Sequence, residues 1–74
     1  MKEVTRLVGT NVRKHRVQQG FTQERLADEV ALSSDYVSRL ELGKENPTVD
    51  VLHRISSALG VSITSLFHMD DSSD

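Results

Sequence analysis

The sequence predicts an all-α domain, compact and built from five helices, and three observations carry that expectation. Apolar residues recur at spacings of three and four, the signature of amphipathic helices packed on one core. Gly20, Gly43 and Gly60 each stand just past such a stretch, where glycine takes a left-handed conformation without steric cost. Thr22, Ser33, Thr48 and Ser62 open the stretches that follow, each able to offer a hydroxyl to the unpaired amides of a first turn. Strand-like alternation is absent.

The first helix is expected over 3–19, with Val4, Leu7, Val8 and Val12 inward. The second runs over 23–30 with Leu26, Ala27 and Val30 inward, and the third over 34–42 with Val37 and Leu40 inward. Pro47 interrupts the chain and biases Asn46 away from helical backbone. The fourth helix is expected over 49–59, buried through Leu52, Ile55 and Leu59, and a short fifth over 63–67. Glu24, Asp35 and Asp50 lie in first turns, where the helix dipole favours acids. Residues 1–68 form the domain in this reading, and 69–74 an acidic, disordered tail.

The bulk properties narrow the function. Seventy-four residues allow one domain. Without cysteine there is neither a disulfide framework nor a thiolate metal site, so so small a core needs well-packed helices, a partner subunit, or both. The net charge of −2 argues on its face against nucleic acid. Three of the acids belong to the tail; without them nine basic residues stand against eight acidic ones, +1. DNA affinity follows the phosphates neutralised locally rather than overall charge. No apolar run has the ~20 residues of a membrane span, and the first residues lack a secretory signal pattern, so a cytoplasmic protein is expected. His15, His53 and His68 have no metal-ligand spacing. No nucleophile–base pair or phosphate-cradling glycine loop is present, so neither an enzyme nor a cofactor is expected, and no small-molecule ligand is evident.

Helices two and three are short and separated by only Ala31-Leu32-Ser33. Two helices joined by so tight a turn form a helix-turn-helix, whose second helix enters the major groove with its N-terminal residues first. Ala27 and Ala31 supply the small side chains such a turn needs, and Val30, Val37 and Leu40 would lock the pair.

The run Gly20-Phe21-Thr22-Gln23-Glu24-Arg25-Leu26-Ala27 resembles the opening of the XRE-type helix-turn-helix family, which includes the lambda-type phage repressors and Cro. Val37-Ser38-Arg39-Leu40-Glu41-Leu42-Gly43-Lys44-Glu45-Asn46-Pro47-Thr48 is similar to that family's recognition-helix end and the loop beyond it. Leu59-Gly60-Val61-Ser62-Ile63-Thr64-Ser65-Leu66-Phe67 resembles its closing short helix. In its brevity the chain is also similar to the controller proteins of restriction–modification systems. The resemblance spans about Val8 to Phe67 and implies a lambda-repressor-like fold and double-stranded DNA as partner. It implies that Gln23 touches a phosphate and buttresses the third helix, and that Ser33, Ser34, Asp35, Tyr36, Ser38 and Arg39 form the DNA-facing surface. Lys44 and Asn46 would meet the sugar-phosphate backbone, and Arg16 would pair with Glu41. Two positions depart from the pattern: Ala31 stands where glycine is common, so a left-handed backbone there carries strain, and His15 replaces a large apolar residue.

Arg39 is the expected base reader, because a guanidinium can donate twice to O6 and N7 of guanine. Asp35, four residues earlier, could accept from cytosine N4; the preferred reading is that it serves the helix dipole or holds Arg39. Tyr36 should point outward, since Val37 and Leu40 supply the inward face, and would contact a phosphate or a thymine methyl. Ser33 and Ser34 can cap the helix and touch phosphate at once. Base contact is thus assigned to Ser34, Asp35, Tyr36, Ser38 and Arg39, and backbone contact to Gln23, Ser33, Lys44 and Asn46. Arg13, Lys14 and Arg25 read first as solvated surface. Val61, Ile63, Leu66 and Phe67 form an apolar cluster, half of which must complete the core; the remainder would be exposed on so small a monomer, and the four are assigned to a homodimer surface. The leading reading is a transcriptional regulator, most simply a repressor or autoregulator on a palindromic operator. The competing one is a protein-interaction module, antitoxin-like or an adaptor, on the same fold.

Overall fold

The computed structural model describes residues 2–69. The expected tail disorder therefore falls, apart from Met69, outside the described residues. Four α-helices, α1 (Lys2–Gln18), α2 (Gln23–Val30), α3 (Ser34–Glu41) and α4 (Val49–Leu59), are followed by a 3-10 helix, Ile63–Phe67. The expectation of five like helices is corrected at this last element. Five residues are too few to repay nucleation of an α-helix, and short pieces of this kind commonly settle as 3-10 turns. Ser62 does not cap it: its hydroxyl pairs with those of Thr64 and Ser65 at 2.9 and 3.1 Å.

The other three caps form. Thr22 Oγ1 accepts from the Arg25 amide at 3.0 Å, Ser33 Oγ from the Tyr36 amide at 3.0 Å, and Thr48 Oγ1 from the Val51 amide at 3.2 Å. Helix α2 stops at Ala31, whose φ of 58° and ψ of 43° lie in the left-handed region. An alanine there costs about 1–2 kcal/mol in backbone sterics. The turn persists because the Leu32 amide reaches the Ala27 carbonyl at 2.9 Å, closing α2 and turning the chain into α3.

The core is Val8, Val12, Leu26, Ala27, Val30, Val37, Leu40, Leu52, Ile55, Leu59 and Leu66. Helix α1 does not turn inward through Val4, which is 38% exposed, and Leu7 lies at the edge, half-buried. Its buried face runs instead through Val8, Gly9, Asn11 and Val12. Two polar or small residues take part in this packing for structural reasons. A Cβ on Gly9 would lie 2.3 Å from the Leu40 carbonyl oxygen and 2.8 Å from that of Glu41, so the end of α3 lies against bare α1 backbone. Asn11 Nδ2 donates to the carbonyls of Leu66 and His68, both at 2.9 Å, and ties the 3-10 helix to α1. Among the described residues no buried side-chain polar atom lacks a partner, and no helix is long and apolar enough to cross a membrane.

Candidate nucleic-acid interface

Helix α3 packs against both α1 and α2. Val37 and Leu40 are wholly buried, which fixes the rotation of the helix and turns Ser34, Asp35 and Arg39 to solvent. The base of α3 is held by a polar cluster on Glu41. Arg16 Nε donates to Glu41 Oε2 at 2.6 Å and Arg16 Nη2 to Oε1 at 3.2 Å, while Arg16 Nη1 donates to the Phe21 carbonyl at 2.7 Å. Gln23 Nε2 adds a bond to Glu41 Oε1 at 3.0 Å. The Arg16 and Glu41 side chains are only 11% and 3% exposed. The cluster joins α1, the start of α2 and the end of α3 through a bidentate pair of low freedom, and Gln23 reaches α3 as the buttress the resemblance implies.

Of the two roles weighed for Asp35, serving the helix dipole or holding Arg39, the second is corrected, while Asp35 does lie in the first turn of α3. Arg39 Nε donates instead to Glu45 Oε2 at 2.7 Å, so Glu45, six residues on and outside the helix, takes the role given to Asp35. Asp35 is exposed in the first turn and acts on Arg39 only through its charge. The Glu45 hydrogen bond is the largest influence holding the Arg39 guanidinium in its charged form, above the usual arginine value. Tyr36 is corrected as well. It is half-buried and packs against the core rather than pointing freely outward. Burial first, and the Glu45 carboxylate second, push its hydroxyl above the ordinary tyrosine value.

Among the remaining expected site residues, Ser33, Ser34, Lys44 and Asn46 are exposed and Ser38 is half-buried beside Gln23 and Glu41. Arg25 is engaged within the domain: its guanidinium sits 4.9 Å from the Phe21 ring centre and bonds Glu29 at 3.2 Å. Leu66 is corrected from the expected dimer surface to the core, being wholly buried. Val61 and Ile63 are half-buried against that core, leaving Phe67, 43% exposed, as the freest apolar side chain of the 3-10 helix. Among the described residues no group of histidines and acids could hold a metal ion, and His15 lies half-buried beside Thr64, Ser65 and His68.

Two short capped helices, a tight turn and a buttressed second helix with an exposed polar N-terminal face define a helix-turn-helix DNA-binding domain. The helix-turn-helix family model matches residues 12–66, and the chain belongs to this XRE-type family. It is 41% identical over 64 residues to an uncharacterized HTH-type transcriptional regulator, y4dJ, of Sinorhizobium fredii, covering 86% of this chain and 83% of the relative. Among solved structures it resembles a hypothetical transcription factor, NHTF, from Neisseria, with a TM-score of 0.88 at 28% identity over 95% of this chain and 80% of that one. It also resembles the restriction–modification controller protein C.AhdI from Aeromonas hydrophila, with a TM-score of 0.82 at 28% identity over 85% of this chain and 96% of that one. The protein is an HTH-type transcriptional regulator, and its sequence relatives are named as regulators rather than enzymes.

Proposed function

We propose that this regulator works in the cytoplasm as a homodimer that reads a palindromic duplex operator and represses transcription, including that of its own gene. The observation that carries the reading is the polarity of α3: Val37 and Leu40 buried, Ser34, Asp35 and Arg39 exposed, and Glu41 locked by Arg16 and Gln23. A rigid helix of this kind places its first turns against base edges. Ser34, Asp35, Tyr36, Ser38 and Arg39 then face the bases. Gln23, Ser33, Lys44 and Asn46 face the sugar-phosphate backbone and fix the register. Tyr36 contributes its exposed edge only, because the rest of the ring packs on the core.

Dimerisation through Phe67, with Val61 and Ile63 beside it, covers apolar surface that a small monomer exposes. A two-fold arrangement sets two copies of α3 one helical turn of DNA apart, ~34 Å. The similarity to a restriction–modification controller protein supports a regulatory role.

The carboxylates of Asp35 and Glu45 beside α3 favour the second reading, a protein-interaction module that does not read DNA. Salt dependence separates the two. Groove binding releases counterions, so affinity for duplex DNA falls steeply and linearly on a log–log scale as salt rises. Binding that is indifferent to salt, or absent for duplex DNA, refutes the DNA-reading proposal and favours the module.

A further inference from the structure

Glu45 is the one acidic side chain among the described residues that is hydrogen-bonded to the exposed face of α3, and a carboxylate beside a phosphate backbone is repelled. Its position is nonetheless built. The chain leaves α3 through Gly43, whose φ of +77° turns it back, and the Lys44 amide donates to the Arg39 carbonyl at 2.9 Å. Thr5 Oγ1 of α1 donates to the Gly43 carbonyl at 3.2 Å, and a Cβ on Gly43 would lie 3.0 Å from the Arg6 Cα. The loop is therefore seated against α1 and folded back along α3. Glu45 is the more sheltered partner, with its side chain 25% exposed against 48% for Arg39.

The bond is made through Arg39 Nε. That choice leaves the four N–H groups of Nη1 and Nη2 outside the Glu45 pair, an end-on fork that matches O6 and N7 of guanine. An unheld arginine must surrender rotamer freedom on binding; a held one has already lost it.

We propose that Glu45 is a positioning residue that sets base specificity by orienting the guanidinium of Arg39 for end-on contact with a guanine. The proposal rests on Arg39 reading a base. In this arrangement Glu45 lowers affinity for DNA in general and raises discrimination at one base pair. A bystander carboxylate would only lower affinity, and a bystander salt bridge would only steady the loop.

The test uses the full chain and a duplex selected by it from a random library, with each base pair then varied singly. Binding is measured for wild type, Glu45→Ala, Glu45→Gln, Arg39→Ala and Arg39→Ala/Glu45→Ala. The proposal expects Glu45→Ala to bind unrelated duplex more tightly while losing about tenfold of its preference at one base pair. Glu45→Gln, whose amide oxygen still accepts a hydrogen bond, keeps more of that preference. In the Arg39→Ala background, removing Glu45 changes the preference no further. An unchanged preference in Glu45→Ala overturns the proposal, and so does a loss that persists without Arg39. Wild type with no preferred duplex refutes the reading beneath it, and the positioning role falls with that reading.

Discussion

Replacing Gly9 with alanine sets two well-measured effects against each other. In the interior of a helix such as α1, alanine is favoured over glycine by about 1 kcal/mol, so propensity alone predicts a more stable protein. The added Cβ, however, lies 2.3 Å from the Leu40 oxygen and 2.8 Å from the Glu41 oxygen. Ordinary contact begins near 3.4 Å, so the end of α3 has to move about 1 Å. The obstacles are backbone atoms, which no rotamer change relieves. Overpacking costs typically about 1–3 kcal/mol and this case belongs at the upper end. The net expectation is a loss of about 2 kcal/mol, or roughly 8–16 °C in Tm for a domain of this size. Urea denaturation followed by circular dichroism measures it, with Thr10→Ala, an exposed neighbour on α1, as the propensity control. Gly9→Ala as stable as wild type or more so would refute the close approach of α1 and α3. Because the displaced carbonyls flank the Glu41 cluster, the same substitution should also weaken duplex binding.

The structure carries further expectations. Glu41→Ala leaves Arg16 buried without its carboxylate and should cost about 3 kcal/mol, far more than Arg39→Ala, whose pair is surface-exposed; equal melting temperatures would contradict this. Ala31→Gly should stabilise by about 1 kcal/mol, since it relieves the left-handed alanine and gives part of that back as unfolded-chain entropy; a lower urea midpoint would count against it. Asn11→Ala strips the Leu66 and His68 carbonyls of their donor and should cost about 1–3 kcal/mol, read in the same denaturation assay. Tyr36, the single tyrosine, has its folded-state value raised above 10.0, chiefly by burial. Its stabilising contribution is thus complete below the unfolded value and is lost as pH climbs through the folded one. Ultraviolet titration should show tyrosinate forming later than in free tyrosine, and earlier in Glu45→Gln than in wild type.

The fold was legible where the signal is local. Hydroxyl caps at Thr22, Ser33 and Thr48, glycine at Gly60 and the three-and-four spacing of Leu52, Ile55 and Leu59 need only nearby residues to act. The Arg16–Glu41 pair, twenty-five residues apart, came through the resemblance and not through any local rule. What escaped is tertiary. Asp35 lies four residues before Arg39 and so looks like its partner, but the loop turned back at Gly43 delivers Glu45 with better geometry. Val4 fits the apolar stripe of α1, yet it stays exposed while the buried face runs through Val8 and Val12. That half of Val61, Ile63, Leu66 and Phe67 belongs to the core is legible, but hydrophobicity does not say that Leu66 is the one wholly inside. Asn11 selects it, by pinning the Leu66 carbonyl to α1. One missed residue did leave a trace: a glycine at position 9, amid a strong helix, sits where helix propensity argues against it and so points to a close backbone approach.

Whether the exposed face of α3 reads duplex DNA is decided by selecting bound sequences from a random duplex library, with wild type and Arg39→Ala run side by side. A DNA-reading α3 gives an enriched site with two-fold symmetry in wild type and the loss of one base preference in each half-site of the variant. No enrichment in wild type, or an identical site selected by both proteins, would contradict it.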